Sequence, residues 1–148
     1  MNYFIILLPV QDAIRREALN LIKEANYDLV RARRSLSEGD YALSVFMSQQ
    51  AIEKAFKALV IALKRRSPPR AHDLVTLFQE IHELITLPTE VIDRLPEISQ
   101  YYVSARYPNA GLEVPSERIN KAQAVRALEA AEVVIAIANK TLGVTQSN

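Results

Sequence analysis

The sequence has no cysteine, no tryptophan, only 3 glycines and only 2 histidines in 148 residues. Lacking cysteine, the chain can form no disulfide, thiolate nucleophile, cysteine-ligated zinc site or iron–sulfur cluster. With His72 and His82 as the only histidines, a zinc site would have to lean on carboxylates. Scarce glycine argues against an architecture rich in tight turns. Neither an HExxH pair nor a glycine-rich phosphate loop is present. Charge of one sign is also missing: 18 Lys and Arg face 17 Asp and Glu, a formal net charge of +1, so bulk charge points to no partner. Long apolar runs are absent too. The segment Met1 to Pro9 is too short to span a bilayer, and it lacks the basic flank and small-residue cleavage site of an export signal. The sequence therefore predicts a cytoplasmic protein with no membrane association, and no motif calls for a cofactor or metal.

What is present is helical periodicity. Hydrophobic residues make up 49% and charged residues 24%, the balance of a chain that buries a core. Ala18, Ile22, Ala25, Leu29, Ala32 and Leu36 recur at steps of three and four, giving one apolar stripe. Arg31, Arg33 and Arg34 lie near its C-terminal end, Gly39 offers a stop and Asp40 a cap for the next helix. A second helix, about Tyr41 to Lys64, carries Ala42, Val45, Phe46, Ile52, Phe56, Leu59 and Leu63 inward. Ser67-Pro68-Pro69 ends it. A third is expected from about Ala71 to Leu84, burying Leu74, Leu77, Phe78 and Ile81. Pro88 and Pro96 bracket a short piece, and Pro96 is expected to open a fourth helix burying Ile98, Tyr102 and Ala105. A last helix, capped by Ser116 and stopped by Gly143, would bury Ala124, Leu128, Ala131, Ile135, Ala138 and Leu142.

The expectation is all-α: an up-and-down antiparallel bundle of four main helices plus a short additional helix. Residues 1–10 are expected to form an apolar extended arm, 11–143 the bundle and 144–148 a flexible tail. Short connections make the third helix antiparallel to the second, which puts the basic loop and the end of the fourth helix at one end of the bundle.

Four features carry candidate chemistry. The loop Lys64-Arg65-Arg66-Ser67-Pro68-Pro69-Arg70-Ala71-His72 is the densest positive cluster, and guanidinium forks suit phosphate oxygens. It reads equally as a solvated helix end. The stripe Gln50, Glu53, Lys54, Lys57 reads as a binding surface or as a solvated face with a favourable Glu53–Lys57 pair. His72 beside Asp73 could titrate near neutrality or simply brace a turn. Tyr101-Tyr102-Val103-Ser104-Ala105-Arg106-Tyr107-Pro108 places aromatics next to an arginine, which suits stacking and phosphate contact, or else Tyr102 sits in the core.

Taken together, Gln50-Ala51-Ile52-Glu53-Lys54-Ala55-Phe56-Lys57-Ala58-Leu59, then Pro69…His72-Asp73-Leu74…Leu77, then Tyr101-Tyr102…Ala105-Arg106-Tyr107-Pro108 resemble the HEPN domain family. The resemblance covers about residues 11–142. It implies a helical bundle, usually a homodimer. It also implies one of two roles, metal-independent endoribonuclease or companion of a minimal nucleotidyltransferase in a toxin–antitoxin-like module. The ribonuclease branch uses an arginine followed a few residues later by histidine; here no histidine follows Arg106. His72 instead matches the His-Asp-Leu of the nucleotidyltransferase-associated branch.

The sequence expectation is therefore a non-catalytic, dimeric nucleotide- or partner-binding subunit of such a module. Its expected partners are a second copy, a minimal nucleotidyltransferase and a nucleotide or RNA. Arg106, Tyr107, His72, Arg70, Arg66, Lys54 and Lys57 are the candidate binding residues, and no catalytic residue is assigned. Two alternatives stand beside it: a metal-independent ribonuclease using His72 with Arg66 or Arg106, and a purely structural dimeric scaffold assembled through the arm and helix faces.

Overall fold

The computed structural model describes residues 2–106 and 114–145 and, of residues 2–12, the backbone alone. Its elements are α1 (Asn2–Ser37), α2 (Tyr41–Lys64), α3 (Leu74–Ile81), α4 (Thr89–Ser104), α5 (Pro115–Arg118) and α6 (Lys121–Leu142), with no strand among the described residues. The fold is the all-α bundle that the periodicity demands. Gly39, at φ +78°, turns the chain out of α1, and the Asp40 carboxylate caps α2 by accepting from the Leu43 N–H at 3.2 Å. Gly143, at φ +70°, closes α6 in the same left-handed conformation.

Cross-helix pairs fix the directions. Asn26 and Asn139 exchange side-chain hydrogen bonds at 2.9 and 3.1 Å, and Arg33 meets Glu132 at 3.3 Å, so α6 runs antiparallel to α1. Glu97 pairs with Arg126 at 2.9 Å and Arg118 donates to the Ser104 carbonyl, so α4 runs antiparallel to α6. The four long helices thus alternate in direction around a core whose largest fully buried side chains include Phe56, Ile22, Leu29, Ile52, Leu59, Leu95 and Ile135. No described helix is long and apolar enough to cross a membrane.

The third helix departs from expectation in direction. His72 lies beside Glu53 midway along α2, Phe78 packs on Phe56, and Glu80 pairs with Lys64 and Arg66 at the end of α2. α3 therefore runs parallel to α2, and the loop of residues 65–73 must first climb back along it. Arg65, in the left-handed region at φ 54°, begins that reversal, and the two prolines that follow keep the climbing segment from becoming helix. Because the loop spends residues on the climb, α3 starts at Leu74 rather than Ala71.

Other boundaries move for identifiable reasons. The apolar segment expected as an extended arm continues α1 as helix from Asn2. A short Ile- and Leu-rich run does not by itself distinguish strand from helix, and here it is contiguous with a strong helical pattern. Pro96 does not open a helix; it lies inside α4, which buries Val91 and Leu95 before it and Ile98 and Tyr101 after it. That continuous buried face outweighs the lost backbone bond. Ser116 does not cap the last helix. Pro115 starts the separate single turn α5, and Asn120 with Gln123 forms a reciprocal capping box for α6. Residues 146–148 of the expected tail lie outside the described residues.

The start of α3 is doubly anchored. The Asp73 carboxylate accepts from the Val75 N–H at 3.1 Å, the Thr76 hydroxyl at 2.8 Å and the Ser99 hydroxyl at 3.1 Å, while the Ser99 oxygen accepts from the Leu74 N–H at 3.0 Å. The hydrogen bond from Thr76, with those from Val75 and Ser99, holds the Asp73 carboxyl below its ordinary range against the opposing effect of burial. A depressed native pKa means that this contribution to stability is present above the ordinary carboxyl range, about pH 4, and is lost as pH falls through the native value. Asp73→Ala is expected to cost about 1 kcal/mol in urea unfolding at pH 7, with the deficit shrinking toward about pH 3.

Candidate functional site

Along α2, residues 46, 49, 50, 53, 54 and 57 share one side of the helix, and they do not form a solvated stripe. Glu53 is only 6% exposed, and Gln49 is fully buried. A buried carboxylate must be compensated. Here the Glu53 oxygens accept from the Gln49 amide at 3.0 Å and from the Lys57 ammonium at 3.1 Å, and they face His72 Nδ1 at 3.1 and 3.2 Å. Gln49 also donates to the His72 carbonyl at 3.2 Å and accepts from Gln50 at 2.7 Å. His72 is thus held at both backbone and ring by the helix it climbs past.

The other face of the site comes from the end of α4. The His72 ring stacks on Tyr102 with centroids 3.8 Å apart and planes 12° apart. The Arg106 guanidinium sits over the same Tyr102 ring at 4.6 Å and over Phe46 at 5.5 Å. Tyr102 is therefore half-buried at the site, and the core position expected of it belongs to Tyr101. Burial, together with a hydrogen bond to Glu97, pushes the Tyr101 phenol above its ordinary pKa. Burial works against Glu97, but hydrogen bonds from Arg126 and Tyr101 leave its carboxyl below the ordinary range. This cluster braces α4 against α6 and so fixes where Arg106 emerges.

A shallow depression of about 450 Å³ opens beside the stack, lined by His72, Asp73, Ser99, Gln100, Tyr102 and Val103, among others. The His72 side chain is half exposed there. With Nδ1 committed to Glu53, Nε2 is the ring nitrogen left to act outward, as a lone pair in the neutral ring or a donor in the imidazolium. Arg70 lies two residues earlier on the same exposed loop. Chemically the arrangement offers an oriented imidazole, a stacked guanidinium and a compensated buried carboxylate. Such a group can hold an anion or transfer a proton.

The candidate residues divide accordingly. His72 and Arg106 come together through Tyr102, and Lys57 joins them through Glu53. Lys54 does not; its ammonium pairs with Asp28, an acid 1% exposed on α1 that also accepts from Arg31 at 2.7 Å. Arg66 is held by Glu80 near the end of α2, away from His72. Tyr107 lies outside the described residues. Gln49, Phe46 and Asp28 are not among the polar-network or site residues that the sequence singles out. The legible signal is the spacing: Gln49 and Asp28 are polar residues on otherwise apolar helical faces.

The same chain order and fold recur in known proteins. The family model described as HEPN domain matches residues 18–141. A solved structure of TT1696 from Thermus thermophilus is similar with 29% identity and a TM-score of 0.73, covering 84% of this chain and 97% of that one. An archaeal HEPN homologue, ST0689, is similar with 26% identity and a TM-score of 0.68, covering 85% and 98%. A HEPN domain protein from Thermotoga maritima, tm0613, is similar with 25% identity and a TM-score of 0.64, covering 84% and 98%. Curated proteins yield no match. A family match spanning most of the chain, on a bundle of the same architecture, establishes that this chain belongs to the HEPN domain family.

Proposed function

We propose that this HEPN protein is a non-catalytic, dimeric binding subunit that captures a phosphate-bearing nucleotide, or a partner presenting one, at the His72–Arg106 site. A separate minimal nucleotidyltransferase is its expected companion. The observation that carries the reading is the joint use of Tyr102 by His72 and Arg106, at 3.8 and 4.6 Å. Two nitrogenous groups from distant parts of the chain are stacked on one ring beside an open depression, an arrangement that core packing does not require. The expectation of dimerisation and of the nucleotidyltransferase partner rests on the family resemblance. Co-expression with a tagged small nucleotidyltransferase from the same genome is expected to give a complex that survives gel filtration at micromolar concentration. Arg106→Ala is expected to weaken it or its nucleotide loading, and two independently eluting proteins would contradict the partnership.

A second reading has one specific observation in its favour. Glu53 facing His72 Nδ1 is the geometry in which a carboxylate orients an imidazole for acid–base work, and Arg106 could stabilise a phosphorane. It predicts metal-independent RNA cleavage. The family's late arginine-to-histidine spacing is missing here, which is why binding is preferred. Mixed RNA incubated in EDTA is expected to stay intact with the wild type. Cleavage by the wild type but not by His72→Ala would replace the binding reading with the catalytic one.

A further inference from the structure

The end of the bundle remote from the α1–α2 turn carries apolar surface and charge that the chain itself does not match. α1 passes the ends of α2 and α6 at Ile14 and Arg15, which share a cavity with Leu63 and Leu142. Residues 2–13 therefore continue as helix for about 18 Å past both neighbours. The sequence is apolar without a break from Tyr3 to Val10, a run of two turns, so the helix has no polar face there. A helix of that kind needs a cover. At the same end, Val75, Phe78, Ile92 and Pro96 line a groove of about 730 Å³ between α3 and α4, with Asp93 and His82 also in its lining. The groove reaches this end because Glu80 of α3 meets Lys64 at the end of α2, and α4 starts at Thr89 just after. Leu84, in the turn between α3 and α4, is 53% exposed beside it. α1 packs on α2 and α6, across the bundle from this groove, so its leading residues run away from their own groove.

We propose that a second copy of this chain is the cover: two molecules meet end to end, and each lays residues 3–10 of α1 in the other's α3–α4 groove. Charge favours that occupant. Among the described residues Arg15 and Arg16 have no acidic partner, and Glu90 and Asp93 have no cationic one. The cations stand at the base of the projecting helix and the acids at the start of α4, on different corners of the same end. A twofold axis brings each corner against the other copy's opposite corner, so one contact is made twice. The reach also fits, because α3 is only about 12 Å long. The interface lies at the other end of α3 and α4 from His72 and Arg106, so the inference does not rest on phosphate binding at that site.

The test is sedimentation equilibrium of the full chain as wild type, as Arg15→Glu with Arg16→Glu, as Glu90→Lys with Asp93→Lys, and as an equal mixture of the two variants. All four positions are exposed, so the variants are expected to keep the wild-type circular dichroism. Wild type is expected to be a dimer, and each variant alone to have its dimer Kd raised at least about tenfold by like charges. The mixture is expected to return to near wild-type affinity, because both contacts of a mixed dimer then pair opposite charges. The absence of cysteine permits a second readout: mixing Ile6→Cys with Gln79→Cys under mild oxidation is expected to give the mixed disulfide dimer. Ile6→Cys linking only to itself would show the two helices covering each other and overturn the groove assignment. A dimer indifferent to all four charge reversals overturns this inference and leaves the proposed function standing. A wild type that stays monomeric, whether alone or on vesicles of anionic lipid, overturns both this inference and the dimeric part of that function.

Discussion

Replacing Phe56 with alanine is expected to lower stability by about 4 kcal/mol, on the order of 10 °C in Tm, with the urea m-value unchanged. The ring is fully buried on α2 at the centre of the bundle and packs on Phe78 of α3 with centroids 5.8 Å apart. Removing it loses the transfer free energy of the ring and leaves a cavity that two long helices cannot close. Phe56→Leu keeps most of the volume and is expected to cost less than about 1.5 kcal/mol. The consequence extends beyond stability. Phe78 lies six residues after His72, so loosening the Phe56–Phe78 contact loosens the helix whose start presents the histidine. Chemical denaturation gives the free energy, and a cost below about 1.5 kcal/mol for Phe56→Ala would show that α3 is not anchored there.

Glu53→Ala is expected to cost about 3 kcal/mol and, in the protein that remains folded, to release His72. The carboxylate is buried, and its loss leaves the Lys57 ammonium, only 19% exposed, and one donor of the fully buried Gln49 without their acceptor. Uncompensated buried charge is what makes breaking such a cluster expensive, whatever the net value of forming it. Gln49 still holds the His72 carbonyl, so the loop is expected to stay in place while the imidazole gains rotational freedom. Glu53→Gln should recover part of the stability, because its amide oxygen can still accept from Gln49 and Lys57. Urea unfolding together with the ring resonances of His72 separates the two effects. Wild-type stability in Glu53→Ala would mean that the cluster is solvated after all.

Where a device is local, the sequence suffices. Gly39, Asp40 and Gly143 punctuate the chain as written, and the stripe from Ala18 to Ala32 is buried as its spacing demands. The misread parts depend on distant partners. Pro96 is a strong local breaker, yet burial of Leu95 and Ile98 on one face keeps α4 continuous. The direction of α3 follows from how far the loop of residues 65–73 climbs, which no periodicity encodes. That climb also decides the site. Short connections would bring His72 and Arg106 together at one pole of the bundle; they meet instead midway along α2, where Glu53 and Phe46 receive them. Asp28 and Gln49 interrupt apolar faces, a pattern that means either a surface or a buried network, and only the partner helix tells which.

The central claim is that His72 and Arg106 act on one anion. The most direct measurement is an NMR titration of the wild type with inorganic phosphate, following the His72 ring protons and the Arg106 guanidinium resonance together. Joint, saturable shifts with a single dissociation constant, absent in His72→Gln, are the result expected. Shifts of one group without the other, or of neither at millimolar phosphate, would contradict it.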